Sequence, residues 1–177
     1  MNTSYLYRLA FLAIGLLFLI SCNDDDPAPD PLSLLPPATQ SGAESWGAII
    51  NGKAAYNYNR ADYNYLELRS GKELTIYLGA EEDEFGSIAI NIEDTSVIGL
   101  KTYALTNEYE ISADYGGNNS VGCVFLWPEI IDGFVTITKF DPADERVIAG
   151  TFEFTSAKEG CDTLRVRNGR FDIITSY

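Results

Sequence analysis

From Ser45 onward the chain runs in short alternations of apolar and polar residues broken by Gly, Asn, Asp or Ser, and no stretch holds a helical period for three turns. This pattern predicts an all-β domain. Trp46–Ile50 and Lys53–Tyr56 flank Asn51-Gly52, a hairpin signal because a type I′ turn needs positive φ at both central residues. Leu66–Arg69 and Leu74–Leu78 flank Ser70-Gly71-Lys72. A loop of that length sets Leu68 opposite Leu74, Leu66 opposite Ile76 and Glu67 opposite Thr75, whereas a one-residue slip mixes the faces. Ser87–Glu93 alternates most cleanly, with Ile88, Ile90 and Ile92 on one inward face. Tyr103–Leu105 and Tyr109–Tyr115 are shorter and more polar, as suits an edge, and Gly116-Gly117-Asn118-Asn119 turns the chain. Val121–Trp127 is nearly all apolar and is expected as a central strand ended by Pro128, which cannot donate to a ladder.

Gly133–Phe140 and Val147–Thr155 are joined through Asp141-Pro142-Ala143-Asp144-Glu145, with proline placed for a type I turn. In the last hairpin a loop of Lys158-Glu159-Gly160 pairs Ala157 with Cys161. Phe154 then meets Leu164 and Phe152 meets Val166, while Glu153 faces Arg165 and Thr151 faces Arg167. About ten strands mostly in sequence order give an antiparallel meander, which hides its edges as a β-sandwich or a flattened barrel.

The residues before this domain have a different character. Arg8 and the amine precede an apolar run from Leu9 to Ile20, about 18 Å long if helical at 1.5 Å per residue. A membrane span needs roughly 20 apolar residues, so 1–21 is read as a cleaved signal. Leu19-Ile20-Ser21-Cys22 has the form of a bacterial lipobox, which makes Cys22 the acylated first residue of the mature chain. Two or three acyl chains hold a protein stably at the membrane where a single chain holds it marginally. Asn23-Asp24-Asp25-Asp26 and the prolines at 27, 29, 31, 36 and 37 follow. Residues 22–42 are therefore read as an acidic, Pro-rich tether and 43–177 as the β-domain. Extended polyproline II at about 3.1 Å per residue would let that tether span up to about 60 Å. Acid directly after an acylated cysteine resembles the surface-export signals of Bacteroidota lipoproteins. The expected location is the outer membrane, by lipid anchor, at the cell surface or on the periplasmic side.

Charge and cysteine content narrow the chemistry. The chain has 26 acidic and 12 basic residues, a net charge of −14, and no histidine. That field makes nucleic acid a poor partner, and the missing histidine removes His triads, His metal sites and the usual acid–base group near neutrality. Cys123 and Cys161 form an even pair in a compartment that permits disulfides. A bridge between them is the leading reading, with two buried free thiols as the alternative. No cofactor is expected.

Leu35-Pro36-Pro37-Ala38-Thr39-Gln40-Ser41-Gly42, Asn51-Gly52-Lys53, Gly150-Thr151-Phe152-Glu153-Phe154 and Asn168-Gly169-Arg170-Phe171-Asp172 together resemble a family of uncharacterised Bacteroidota lipoproteins described only as a domain of unknown function. Members often carry cysteine at the position of Ala48 and tryptophan at that of Tyr56. The resemblance implies a surface or periplasmic β-domain and brings no activity or site residues.

The densest aromatic stretch runs from Tyr56 to Tyr65. At period 2, Tyr56 and Tyr58 share a face, as do Tyr63 and Tyr65, and exposed tyrosines among amides can stack on sugar rings. Cross-strand packing or rings at the core rim is the competing use. Glu81-Glu82-Asp83-Glu84 and the Asp141, Asp144, Glu145 cluster lack the spaced oxygen pattern of a calcium loop and read as solvated loops. Arg165, Arg167 and Arg170 could gather an anion, but with Glu153 expected opposite Arg165 and Asp172 close in sequence, surface ion pairs are the expected use.

The leading expectation is a membrane-anchored, non-catalytic β-domain that binds a glycan or an envelope protein. The rivals are a carboxylate-based hydrolase and a barrel carrying an apolar ligand.

Overall fold

Positive φ at Asn51 (48°) and Gly52 (86°) closes the first hairpin between β1 (Ser45–Ile50) and β2 (Lys53–Asn57), as the Asn-Gly pair predicts. Ser70 (52°) and Gly71 (67°) close the second, between β3 (Asn64–Arg69) and β4 (Glu73–Gly79). Its register sets Leu68 opposite Leu74, Leu66 opposite Ile76 and Glu67 opposite Thr75, as expected. The remaining strands are β5 (Ser87–Glu93), β6 (Thr102–Ala104), β7 (Ile111–Ser112), β8 (Ile130–Asp141), β9 (Val147–Ser156) and β10 (Leu164–Ile174). This computed structural model describes residues 28–58, 64–79, 86–94, 98–105, 111–112, 123–126, 129–141, 143 and 146–174. The signal, Cys22, Tyr63, the 81–84 acid run, the 116–119 turn, Pro128, Asp144 and Glu145 lie outside the described residues.

The strands form a six-stranded sheet in the order β2-β1-β10-β9-β8-β6 and a four-stranded sheet in the order β3-β4-β5-β7. All neighbours are antiparallel. The fold is a β-sandwich and not a closed barrel. Its strand order departs from a plain meander where β1 lies beside β10, bringing the first strand against the last. β6 and β7 are short edge strands, where the polar character of their sequences placed them.

Inward rows meet between the sheets. Trp46, Ala48 and Ile50 of β1, Phe152 and Phe154 of β9, and Phe171 and Ile173 of β10 face Leu66, Leu74, Ile76, Leu78, Ile88, Ile90 and Ile92. Burying a side chain of this size stabilises by about 1.5–3 kcal/mol, so this row dominates the folding energy. Polar groups cross the same gap with partners. Trp46 Nε1 (2.8 Å) and Asn57 Nδ2 (3.2 Å) both donate to the Gly79 carbonyl of the opposite sheet.

The last hairpin differs from its expected register. Val166 lies opposite Phe154 and Gly169 opposite Phe152, and β10 holds one extra residue between these pairs. The same extra residue displaces β10 against β1 between Gly47 and Ile49. The cause is a bulge at Arg167-Asn168, with Asn168 at φ 53°. Arg167 closes it by donating to the carbonyls of Phe154 and Val166 at 2.9 Å and to Thr155 Oγ1 at 2.8 Å. Gly169 is needed there because a Cβ would stand 2.4 Å from the Phe152 carbonyl and 2.6 Å from its ring. The connecting loop is also longer than expected, since strand pairing stops at Ser156 and resumes at Leu164.

Two further expectations change. Among residues 123–126 only Phe125 joins a strand, as a single bridge, so the described part of Val121–Trp127 is not a central strand. Its apolar character serves other ends: Phe125 is buried at 3% exposure, Leu126 is 46% exposed, and Cys123 is spent on a disulfide. The tether also does not run free to Gly42. Pro31–Leu34 form a short 3-10 helix capped by Asp30, and Leu35 and Pro36 are buried against the domain.

Cys123 and Cys161 are joined, with their Cα atoms 6.0 Å apart, and tie the segment before β8 to the β9–β10 loop. Their sequence separation is 38. Closing a loop of that size restricts the unfolded chain by about 4 kcal/mol. Cys161→Ser and Cys123→Ser are expected to lower the urea midpoint equally, by an amount corresponding to about 2–4 kcal/mol, with the double variant no worse than either. Additive losses would show that the cysteines act separately.

Candidate functional site

The outer face of the six-stranded sheet is not bare. Residues 35–42 cross it as a strap, and the sheet is built to receive them. Gly47 points outward from β1, and a Cβ there would lie 2.6 Å from Pro36 Cδ. Gly42, at φ 74°, packs on Val147 and Ile174, whose side-chain carbons would stand 3.0 and 2.9 Å from a Cβ.

Between these glycines the strap is pinned by Asp172, an outward residue of β10 only 2% exposed. One carboxylate oxygen accepts from Thr39 Oγ1 at 2.6 Å and from the Ser41 N–H at 2.9 Å, and the other accepts from the Gly42 N–H at 2.8 Å. Burial pushes the Asp172 carboxyl up, but the hydrogen bonds from Thr39, Ser41, Gly42 and Ala43 outweigh it and hold the group below its ordinary value. Glu44 next door goes the other way. Its carboxylate accepts from the Ile174 N–H at 2.8 Å, yet burial, with a smaller contribution from the Asp172 charge, raises its pKa.

Beside the strap lies a groove of about 440 Å³. Leu32 and Ala38 form its strap side, and Phe134, Thr151, Glu153, Asn168 and Arg170 its sheet side. Phe134 lies directly opposite Glu153, and Arg170 opposite Thr151. The Nε of Arg170 is buried without a hydrogen-bond partner. A second groove of about 640 Å³ borders the Asn51-Gly52 turn, with Asp162, Thr163, Arg165 and Arg167 along it.

The three arginines are therefore not a set of surface ion pairs. Asp172 is committed to the strap, the Glu153 carboxylate accepts from the Asn168 N–H at 3.0 Å, and Arg167 holds the bulge.

The described tyrosines of this stretch, Tyr56, Tyr58 and Tyr65, lie on two surfaces. Tyr56 and Tyr58 project from β2 beside the strap, with rings edge to face at 5.6 Å, and Tyr58 Oη donates to the Leu34 carbonyl at 3.4 Å. Tyr65 lies on the outer face of the four-stranded sheet, 46% exposed, stacked on Tyr77 at 5.0 Å with ring planes 9° apart. Thr75 and Asn91 form the adjoining polar row. Tyr77 was missed as a partner, although the register that pairs Leu66 with Ile76 also pairs Tyr65 with Tyr77.

The family described as a domain of unknown function (DUF6252) matches residues 47–175. No curated protein and no solved structure matches the chain.

Because the pKa of Asp172 is lower in the folded state, its contribution to stability is complete above the unfolded value near pH 4 and is lost as pH falls through the folded value. Asp172→Asn should cost about 2 kcal/mol at pH 7, a typical worth for hydrogen bonds to a charged group. The gap between parent and variant should close as the pH falls below about 4. Urea unfolding from pH 2.5 to 7 checks this, and a gap that does not change with pH would show that the charge is not what holds the strap.

Proposed function

The chain belongs to the DUF6252 family of domains of unknown function, and on that footing we propose that it is a lipid-anchored envelope protein whose β-sandwich binds glycan without acting on it. The observation that carries the reading is the stack of exposed Tyr65 on half-buried Tyr77 on the outer face of the four-stranded sheet. A flat aromatic pair beside Thr75 and Asn91 offers ring faces for the apolar side of a sugar and polar side chains for its hydroxyls.

The N-terminal residues support the anchor. Leu19-Ile20-Ser21-Cys22 provides the acylation sequence, and Asp24-Asp25-Asp26 provides the acidic stretch that resembles a Bacteroidota export signal. Nine residues separate Cys22 from Pro31, enough for a reach of up to about 28 Å at about 3.1 Å per residue. The chain approaches the domain on the outer face of the six-stranded sheet, opposite the Tyr65–Tyr77 face. An anchor on that side leaves the aromatic pair turned away from the membrane.

The competing chemistries have less to stand on. Among the described residues the inward rows of the two sheets pack into one core, which gives an apolar cargo little support. Neither groove is lined by facing carboxylates, for each has a single acid, Glu153 or Asp162.

Glycan-array binding by the full chain in detergent should give specific signals, and Tyr65→Ala or Tyr77→Ala should each weaken them by about 1 kcal/mol, roughly fivefold. Parent binding that is absent or indifferent to both substitutions would defeat the reading. Separately, Cys22→Ser should abolish acylation by mass spectrometry and release the protein from membranes. Retention of the acyl mass in the variant would refute the anchor.

A further inference from the structure

In a chain with 26 acidic residues, an arginine in a sheet face normally finds a carboxylate. Arg170 has none among the described residues. The reason is visible around it. Asp172, two residues on along the same face, gives one oxygen to Thr39 and Ser41 and the other to Gly42. Glu153 is a diagonal neighbour through the Arg170–Thr151 pair, and its Oε1 is held by the Asn168 N–H. Arg170 is left lining the groove with its Nε buried and unpartnered. A buried Nε–H in that state costs stability until an acceptor meets it, because it has lost water and gained nothing, and a planar carboxylate can meet it together with a neighbouring N–H of the same fork.

The other walls specify more than charge. Phe134 is 39% exposed at the groove and offers a ring face. Thr151, Asn168 and the second oxygen of Glu153 supply hydroxyl, amide and carboxylate groups within the same groove. An aromatic face, hydroxyl-binding groups and one arginine suit a sugar ring that bears a carboxylate.

We propose that this groove is a binding site for an acidic saccharide, in which Arg170 takes the carboxylate of a uronic acid and Phe134 packs on the apolar face of its ring. The chain's net charge of −14 opposes an anion from afar, but that repulsion is screened beyond about 8 Å at physiological salt, while the contact with Arg170 is made inside that distance. The site lies on the sheet opposite the Tyr65–Tyr77 pair and does not depend on it.

The test is calorimetric titration of the full chain in detergent with trigalacturonate, its methyl ester and acetate. The acid should bind, and the ester and acetate should bind at least tenfold more weakly. Arg170→Gln and Arg170→Lys should each lose at least tenfold toward trigalacturonate, the lysine because it keeps the charge but not the two-pronged geometry. Phe134→Ala should lose severalfold, and Tyr65→Ala nothing. A melting temperature of Arg170→Gln equal to or above that of the parent would separate lost binding from lost folding. The proposal is overturned by no binding of trigalacturonate, by equal binding of the ester, or by equal binding of acetate with no effect of Phe134→Ala. That last result would indicate a general carboxylate site, open to a peptide terminus as much as to a sugar.

Discussion

The buried carboxylate of Asp172 is the constraint on which the outer architecture depends. Taking a carboxylate out of water costs several kcal/mol unless its lone pairs are met. Here they are met by one hydroxyl and backbone N–H groups from a segment that would otherwise have no reason to lie still. A Pro-rich chain has few N–H groups and little core-forming surface, so apolar contact alone would hold it weakly. Charge-assisted hydrogen bonds, roughly twice as strong as neutral ones, make the difference. The two glycines serve the same end, since side chains at Gly47 or Gly42 would lift the strap from the sheet and its donors from Asp172.

Asp172 reaches that face only because of the bulge in β10. Strict alternation from Leu164 and Val166 would turn Asn168, Arg170 and Asp172 toward the core and Phe171 and Ile173 toward solvent. The extra residue at Arg167-Asn168 reverses the parity, so Phe171 and Ile173 enter the core while Arg170 and Asp172 face out. Both neighbouring strands show the same displacement, so the bulge is a property of β10 and not of one pairing. The core, the strap and the groove all follow from this one inserted residue.

Much of this was legible in the sequence, in proportion to how local the deciding interaction is. The Asn51-Gly52 turn and the Leu66–Ile76 register follow from backbone sterics and side-chain parity over a few residues, and both are found as read. The β10 bulge was also written in the chain, because Val166 and Phe171 are five apart and cannot share a face of a regular strand. A minimal three-residue loop at Lys158-Glu159-Gly160 hides it, because that register needs no extra residue. The strap was not legible, since proline content predicts an extended chain and says nothing of a carboxylate more than a hundred residues away. Val121–Trp127 misled for a related reason: apolar residues near a disulfide can be buried without joining a ladder, and hydrophobicity alone does not distinguish the two.

The groove shows how such long-range commitments create chemistry that composition hides. Read by count, Arg165, Arg167 and Arg170 are three cations in an excess of acid, and each should be neutralised. Read by geometry, their fates diverge. Arg167 is consumed by carbonyls at the bulge, Asp172 accepts from the strap, and one oxygen of Glu153 accepts from the Asn168 N–H. At Asp172 the strap brings several donors at once, and they take lone pairs that an arginine could otherwise meet. The lone pairs of Asp172 that grip the strap are thereby lost to Arg170, whose Nε has no hydrogen-bond partner among the described residues.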